Sequence, residues 1–500
     1  MRRAVVVRSF AAAAAGAVLP LAFAPLSWSM LAIVALAIVF DGWRLATPGA
    51  AALQGFLFGC GSFGVGVSWL YISLHHFGDM NSAAAFLMVC LLVVFLSLFP
   101  AAIGYIWRRW FEDRARSLLW ALPALWLMSE WLRARLLTGF PWLSVGYSQT
   151  GTVLGQLAPY VGVYGVGYAA VMVAAGLVIV VRAPVRRTRL QALAACALLL
   201  AGAWALGRLS WIRPAGPSLE VALVQGNIPE EVKWTPGELN RIVDRYLQLM
   251  QGADTSARPA LAIWPETAIP DYLSNLEPAV LPRLKRYVSE HHLRLLFGLV
   301  EDRGSAVYNS VALLEPGGAP ARFYRKQHLV PFGEYLPLPW LLQPLLNYLH
   351  IPMSAFNVWH GAQRALPAGR TQLGVSICYE DAFSRHVRQT LPAATMLVNV
   401  SDDGWFGRSW ARAQHLQMAQ MRAAEAGRWL LSDTNNGITA AVGPHGALHG
   451  HLPSFRRGVL LVRVQPYQGR TPYVRYGETP ALLLALAALV LGVRRHPVRS

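Results

Sequence analysis

Three residues of this chain have types that could act together on a carbonyl carbon: Glu266, Lys326 and Cys378. A thiol attacks only as its thiolate. A lysine cation beside it would lower its pKa, and a carboxylate could take the thiol proton and later return it to a leaving group. The cysteine closes Leu373-Gly374-Val375-Ser376-Ile377-Cys378-Tyr379-Glu380, an apolar run of strand length followed by an acid. Nucleophiles occupy such strand ends, where a rigid element stops and a side chain faces a cleft. Taken singly, each residue has a plain structural use. Cys378 fits a packed core, Glu266 a helix cap after Pro265, and Lys326 a solvated face in Tyr324-Arg325-Lys326-Gln327. Three such groups at the ends of buried runs are harder to explain that way.

The elements that must position them lie between residues 214 and 477. Strands are predicted at 219–224, 260–264, 293–300, 307–314, 372–377, 395–400, 429–433, 437–442 and 458–464, and helices at 278–291 and 410–426, while residues 321–325 lead to Lys326. Thr235-Pro236-Gly237-Glu238 reads as a capping box that opens a helix running to about Met250. This alternation indicates a layered α/β domain. Between Lys326 and Cys378, residues 336–358 form a proline-broken apolar segment, too interrupted to be a span. Its preferred reading is an arm on or in a membrane beside the site, against an ordinary core loop.

The rest of the chain is a membrane protein. Of 500 residues 55% are hydrophobic and only 14% charged, and the mean hydropathy is +0.37. Apolar spans are placed near 9–26, 28–43, 50–74, 82–107, 117–134, 157–181, 190–208 and 479–493. Each is about long enough for a hydrocarbon core of roughly 30 Å, the second being short. Arg2, Arg3 and Arg8 before the first could open a cleaved signal peptide, but the second span follows at once and favours a retained helical hairpin. The net charge of +18 does not point to nucleic acid. The arginines cluster between apolar runs, as topology determinants do. With the N-terminus cytoplasmic, that side receives Arg44, the groups at 108–116 and 182–189, and Arg494, Arg495 and Arg499; the opposite short loops receive mainly Arg133 and Arg135. Eight spans then divide the chain into a bundle at 1–213, a periplasmic domain at 214–477 and a last span with a cytoplasmic tail at 478–500, in the inner membrane of a bacterium with an outer one. Of the four cysteines only Cys378 lies in the external part, which therefore has no internal disulfide. Gly162-Val163-Tyr164-Gly165-Val166-Gly167 lacks the strand-turn-helix context of a nucleotide loop and reads as close helix packing. Glu130, near the end of the fifth span, is a carboxylate of the kind that faces a polar interior, and has two readings: a place on a substrate path, or an interfacial anchor with an aromatic belt residue.

The order Trp264-Pro265-Glu266, Tyr324-Arg325-Lys326 and Cys378-Tyr379-Glu380 resembles the carbon–nitrogen hydrolase, or nitrilase, superfamily. Within it, the apolar N-terminal region, Thr138-Gly139-Phe140-Pro141-Trp142, Gln225-Gly226-Asn227-Ile228-Pro229, the run from Lys326 to Pro337 and Asp403-Gly404-Trp405-Phe406-Gly407 resemble the bacterial apolipoprotein N-acyltransferase family. The resemblance implies an α-β-β-α sandwich and a Glu-Lys-Cys triad. In it Glu266 would be general base and acid, Lys326 would stabilise thiolate and oxyanion, and Cys378 would be the nucleophile. Glu334 would hold Lys326. Tyr379 and Glu380 would position the loop after the nucleophile, and Trp234 would assist substrate binding. The implied reaction takes the sn-1 acyl chain of a membrane phospholipid onto Cys378 as a thioester. The chain then passes to the α-amine of the S-diacylglyceryl cysteine of an apolipoprotein, with no cofactor. A site at the membrane surface suits an acyl donor confined to the bilayer, and water must be excluded from the thioester. One departure is visible: Asp402-Asp403 stands where the family pattern leads one to expect an asparagine. The competing reading is a membrane-anchored amidase or nitrilase acting on small amides, which shares the triad and leaves the spans unexplained. A scaffold without activity, or a metal enzyme, fits less well: all three triad types are present, and the histidines lack ligand spacing.

Overall fold

The computed structural model describes residues 2–111, 115–276, 278–336, 340 and 356–492. Most of the apolar segment expected as an arm at 336–358 lies outside the described residues. The chain divides into two units. One holds Met1–His75, Asn81–Ser210 and Arg475–Ser500; the other holds His76–Met80 and Trp211–Val474.

In the first unit, each predicted apolar segment contains a helix: Arg2–Val18, Met30–Arg44, Pro48–Gly66, Ser82–Trp110, Leu122–Arg133, Ala158–Arg182, Arg186–Leu206 and Thr479–Gly492. Among the described residues, four stretches are long and apolar enough to cross a membrane: Arg3–Ala22, Ser82–Trp110, Leu154–Arg182 and Arg186–Leu206. Pro48–Gly66 with Trp69–Phe77, bent by 50°, makes a fifth if the pair is one span. Met30–Arg44, Leu122–Arg133 and Thr479–Gly492 are shorter. After Leu122–Arg133 the chain runs through short 3₁₀ turns to Leu157. Irregular backbone of this kind needs protein partners for its polar groups. Arg133 supplies them, donating to the carbonyls of Phe140 at 2.7 Å and Trp142 at 2.6 Å. Glu130 Oε1 accepts from Val145 N at 2.8 Å and Trp126 Nε1 at 3.0 Å. Glu130 is buried and faces inward. The glycine-rich stretch packs closely, as expected: a Cβ on Gly146 would lie 2.0 Å from the Val163 carbonyl oxygen.

The second unit contains a two-stranded antiparallel ribbon, β1 Ile212–Pro214 with β15 Tyr467–Gly469, and two larger mixed sheets. The seven-stranded sheet runs β14-β2-β3-β5-β6-β7, with β4 beside β5: β2 Leu219–Gln225, β3 Leu261–Ile263, β4 Ile269–Tyr272, β5 Arg294–Arg303, β6 Ala306–Leu314, β7 Arg322–Arg325 and β14 Gly458–Val464. The six-stranded sheet runs β13-β12-β11-β10-β9-β8: β8 Leu366–Ala368, β9 Thr371–Ile377, β10 Met396–Ser401, β11 Leu430–Thr434, β12 Thr439–Val442 and β13 Leu448–Leu452. Alternation along the strands builds the layers. Val221, Leu223, Ile263, Leu296 and Val311 of one sheet pack with Leu373, Val375, Ile377, Val398 and Val400 of the other. The intervening residues Ala222, Val224, Leu295, Phe297 and Leu299 face helices Leu239–Ala257 and Val280–Glu290. The first of these helices buries Ile242, Val243, Tyr246, Leu247 and Met250, spaced to fall on one side. On the outer face of the six-stranded sheet, Leu397, Leu430 and Val442 pack on Leu416, Ala419 and Ala423 of helix Ala411–Ala426. Four layers result, α-β-β-α, as the resemblance implied.

The predicted capping box does not form. The helix begins at Leu239 behind Glu238, with no side-chain cap. Thr235 Oγ1 donates back to the Glu231 carbonyl at 2.9 Å and closes the short helix Glu230–Lys233 instead. The Glu238 carboxylate is taken by Arg241 at 2.6 Å, and Gly237, at φ +87°, turns the chain between them. Strands β4, β8 and β13 have no counterpart among the predicted strands; they have four, three and five residues.

Candidate active site

The parallel strands β3, β9, β10 and β11 end on the same side of their sheets, and their carboxyl ends carry the polar residues. Such ends, where rigid backbone stops, are where α/β proteins build sites. Glu266 follows β3. Trp264, fully buried and stacked on Tyr246 at 4.8 Å, anchors the strand end. Gly298 on β5 lets the turn pass close above it: a Cβ there would lie 2.3 Å from Thr267 N and 2.7 Å from Glu266 Cα. Cys378 follows β9 directly at φ +50°, a left-handed turn that swings the chain into the 3₁₀ turn Cys378–Ala382. Lys326 follows β7, and its N–H bonds the Asn309 carbonyl on β6 at 2.9 Å.

Glu266 and Lys326 meet in one charge cluster, and both act electrostatically on Cys378. Lys326 Nζ lies 3.2 Å from Glu266 Oε1 and 2.9 Å from Glu334 Oε1. Asn309 Nδ2 bridges the same two oxygens, at 2.7 Å and 2.9 Å. Glu334 Oε2 accepts from Val330 N at 2.8 Å, so the lysine's own loop folds over it. Glu266 Oε2 accepts from Asp402 N at 2.9 Å. Burial opposes charge on Glu266. The Lys326 ammonium, the Asn309 amide and Lys233 overcome it, and the carboxyl stays below its usual range. Burial likewise opposes charge on Lys326, and Glu266 and Glu334 reverse it, so this ammonium holds its proton more firmly than a free lysine. The Cys378 thiol is pushed well up, by burial first and by the Glu266 charge second, with Lys326 pulling it down. At rest the site therefore holds a carboxylate, an ammonium and a neutral thiol. That combination suits proton transfer at the moment of attack better than a standing thiolate.

The remaining predicted residues fall in three places. Glu380 is fully buried behind the cysteine turn. It accepts from Ile377 N at 2.8 Å, Gln327 N at 2.7 Å, His328 N at 3.1 Å and Tyr324 Oη at 2.9 Å, tying the lysine loop to the nucleophile turn. Tyr379 packs edge-on to Phe383 at 5.0 Å beside His328. Trp234 is half exposed at the end of helix Glu230–Lys233. Its neighbour Lys233 is buried, pairs with the Asp402 carboxylate and reaches the Glu266 carbonyl at 3.4 Å.

Sequence reasoning missed Asn309, Lys233 and His415. His415 Nδ1 lies 2.9 Å from Asp403 Oδ1, and Nε2 lies 3.0 Å from Asp381 Oδ1 and 3.4 Å from the Cys378 carbonyl. Burial works against its charge, but the two carboxylates hold it well above an ordinary histidine, as an imidazolium. These pairs explain the unexpected Asp402-Asp403: Lys233 meets the first carboxylate and His415 the second. The pair Asp402-Asp403 was itself the available signal, since two adjacent buried acids require cations.

Residues 15–176 match the profile described as Apolipoprotein N-acyltransferase N-terminal domain, and residues 220–473 match that of Carbon-nitrogen hydrolase. Proteins named apolipoprotein N-acyltransferase are similar along almost their whole length. That of Methylococcus capsulatus is 39% identical over 487 residues, 96% of this chain and 94% of the relative. That of Nitrosomonas europaea is 40% identical over 490 residues, 97% and 96%, and that of Azotobacter vinelandii 40% over 505 residues, 98% and 95%. With the four-layered domain, the apolar helices and these matches together, the chain belongs to the apolipoprotein N-acyltransferase family.

Proposed function

We propose that this protein moves the sn-1 fatty acyl chain of a membrane phospholipid to the α-amine of the S-diacylglyceryl cysteine at an apolipoprotein's N-terminus, through a Cys378 thioester. The observation that carries this reading is the neutral, buried thiol beside a paired Glu266 carboxylate and Lys326 ammonium, in a chain with membrane-length apolar helices.

In the first half-reaction Cys378 Sγ attacks the ester carbonyl carbon while Glu266 takes the thiol proton. The oxyanion that forms is stabilised by the Lys326 ammonium and by backbone N–H groups of the turn at Tyr379. Collapse breaks the bond to the glycerol oxygen, which takes the proton from Glu266 and leaves as the lysophospholipid. In the second half-reaction the acceptor amine attacks the thioester, Glu266 accepts an amine proton, and Cys378 leaves and is reprotonated. Glu334 and Asn309 keep Lys326 and Glu266 in register throughout. Glu380 and Tyr379 position the nucleophile turn, and half-exposed Trp234 offers its ring to a substrate. The arginine distribution supports about eight spans in the inner membrane, with residues 214–477 as a periplasmic catalytic domain.

The test is mass spectrometry of the intact protein from membranes beside Cys378→Ser, each before and after neutral hydroxylamine. The expected result is an added acyl mass on the wild type that hydroxylamine removes, that the variant lacks, and that a diacylated lipopeptide discharges as an amide. No acyl mass after addition of fresh phospholipid, with turnover of small amides, would make the protein an amidase instead.

A further inference from the structure

The turn after β10 carries basic residues that the chemistry above does not use. Helix Ala411–Ala426 has no acid in its first turn, and its N-cap Trp410 makes no side-chain cap. Its first turn instead holds Arg412, a cation at the positive end of a helix, which is unfavourable by itself. Arg412 is nevertheless only 3% exposed. Its Nε donates to the Asp403 carbonyl at 3.3 Å, and its guanidinium carbon sits 3.7 Å from the centre of the Phe455 ring. Its Nη2 is buried with no hydrogen-bond partner. Arg408, exposed, lies against the same ring at 4.7 Å. Of the acids at this turn, Asp402 pairs with Lys233 and Asp403 with His415, and burial and the Asp402 charge push the pKa of the third, Glu230, well up. The Phe455 ring that both guanidinium groups contact is held in place. Phe455 has φ +60°, its N–H bonds the Asn436 carbonyl at 3.0 Å, and its carbonyl accepts from Asn227 Nδ2 at 3.1 Å. Burial lowers the Arg412 pKa, with Asp403 opposing and Arg408 adding to the effect, to about 10, so it is charged at neutral pH.

Two guanidinium groups crowded on one ring and a buried N–H without an acceptor are each unfavourable alone, and of the helix's first amides Ala411 N is already taken by Ser409 Oγ at 3.3 Å. Together they complement a tetrahedral anion. We infer that Arg412, Arg408 and the first turn of helix Ala411–Ala426 bind the phosphate of the acyl donor's headgroup. The inference rests on the proposed transfer from phospholipid. The donor's phosphate is only a few bonds from its sn-1 ester, so its site must lie near the nucleophile. The same turn is joined to Cys378 through Asp403, His415 and the Cys378 carbonyl. Trp405 and Trp410, each 39% exposed on this turn, are suited to the headgroup layer of a bilayer. The acceptor carries a diacylglyceryl group without phosphate, so the site serves the first half-reaction and not the second.

The test uses full-length protein in detergent micelles and follows single-turnover acylation of Cys378 by mass spectrometry. The donors are phosphatidylglycerol and a diacylglycerol with the same acyl chains. Wild type should acylate faster from phosphatidylglycerol. Arg412→Gln and, separately, the exposed Arg408→Gln should each slow that donor about ten-fold, the scale of one lost charge-assisted hydrogen bond. Both should leave the diacylglycerol rate and the discharge of preformed thioester to a lipopeptide within about two-fold. Arg412→Lys should recover part of the loss. Equal losses from both donors, or no loss from either, would overturn the assignment. So would inhibition by millimolar inorganic phosphate in a protein whose donor preference ignores both arginines, which would mark a site for free anions. If wild type forms no acyl-enzyme from any lipid, the transferase reading itself fails, which is a different result from an acyl-enzyme indifferent to the arginines.

Discussion

Glu266 and Glu380 are both buried carboxyl groups at the ends of sheet strands, and their surroundings shift their pKa values in opposite directions. Around Glu266 the partners are cations, Lys326 and Lys233, with the Asn309 amide between them. Around Glu380 they are mainly dipoles: three backbone N–H groups and the Tyr324 hydroxyl. Burial raises the pKa of both. The cations more than reverse it at Glu266. At Glu380 the N–H groups of Ile377 and Gln327, the more distant Lys326 charge and the Tyr324 hydroxyl do not, so its pKa stays raised. Partner type thus separates the proposed base, its carboxyl held below the usual range, from a carboxyl that ties two loops together. The two also couple to folding with opposite signs. Pairing of Glu266 contributes stability that is present above the usual carboxylate pKa of about 4.5 and is lost as pH falls through its lower folded value. The stability tied to Glu380 is complete below that pKa and is lost as pH rises through its raised folded value.

The largest expected effect is at the base. Glu266→Gln keeps the shape and removes the proton acceptor, so single-turnover acylation of Cys378 should fall by about 10²- to 10⁴-fold. The thiol should respond in the other direction. Losing the Glu266 charge removes one of the influences that hold its pKa up, and iodoacetamide alkylation of Cys378 should extend to lower pH. A variant slower in both reactions would mean that Glu266 orders the site instead of taking the proton.

Next comes the brace. Glu380→Ala leaves four buried donors without their acceptor, each costing about 1–3 kcal/mol and less than additive together. The thermal midpoint in detergent should drop, and activity should fall with it as the Lys326 loop and the Cys378 turn separate. An unchanged midpoint with turnover lost would place Glu380 on the substrate and erase the contrast with Glu266.

The contrast was only half legible in the sequence. Both glutamates and the cysteine stand at or just beyond the ends of apolar runs, while the lysine follows the alternating Arg322-Phe323-Tyr324-Arg325, and a run ending in a polar group is visible in the sequence. What each carboxylate meets is not visible, because its partners come from far along the chain. Lys233 and Asp402 are 169 residues apart, and Gln327 and Glu380 are 53. Asn309 sits inside Tyr308-Asn309-Ser310, where nothing local distinguishes it; only the pairing of β6 with β7 sets it beside Lys326. The capping motif at Thr235 failed for a related reason. Its local pattern was right, but the preceding short helix, held by the buried Lys233–Asp402 pair, claimed the hydroxyl first. In the helical unit, composition located every apolar segment, while the irregular turns after Arg133 depend on bonds from Arg133 and Glu130 that hydropathy does not encode.

The smallest expected effect is the sharpest probe of the brace. Tyr324→Phe removes one of the four donors to Glu380 and leaves the three backbone N–H groups in place. Tyr324 is fully buried, so the ring stays packed and only the hydroxyl is lost. The lost bond should cost about 1 kcal/mol, read as a modest fall of the thermal midpoint. Because the lysine loop remains tied by Gln327 N and His328 N, the rate of Cys378 acylation should stay within about two-fold of wild type. A brace shares its load among several dipoles and tolerates the loss of one; a base has a single proton to move and does not. If Tyr324→Phe instead slowed acylation as far as Glu266→Gln, Glu380 and its hydroxyl partner would belong to the proton path, and the two carboxylates would differ in position but not in kind.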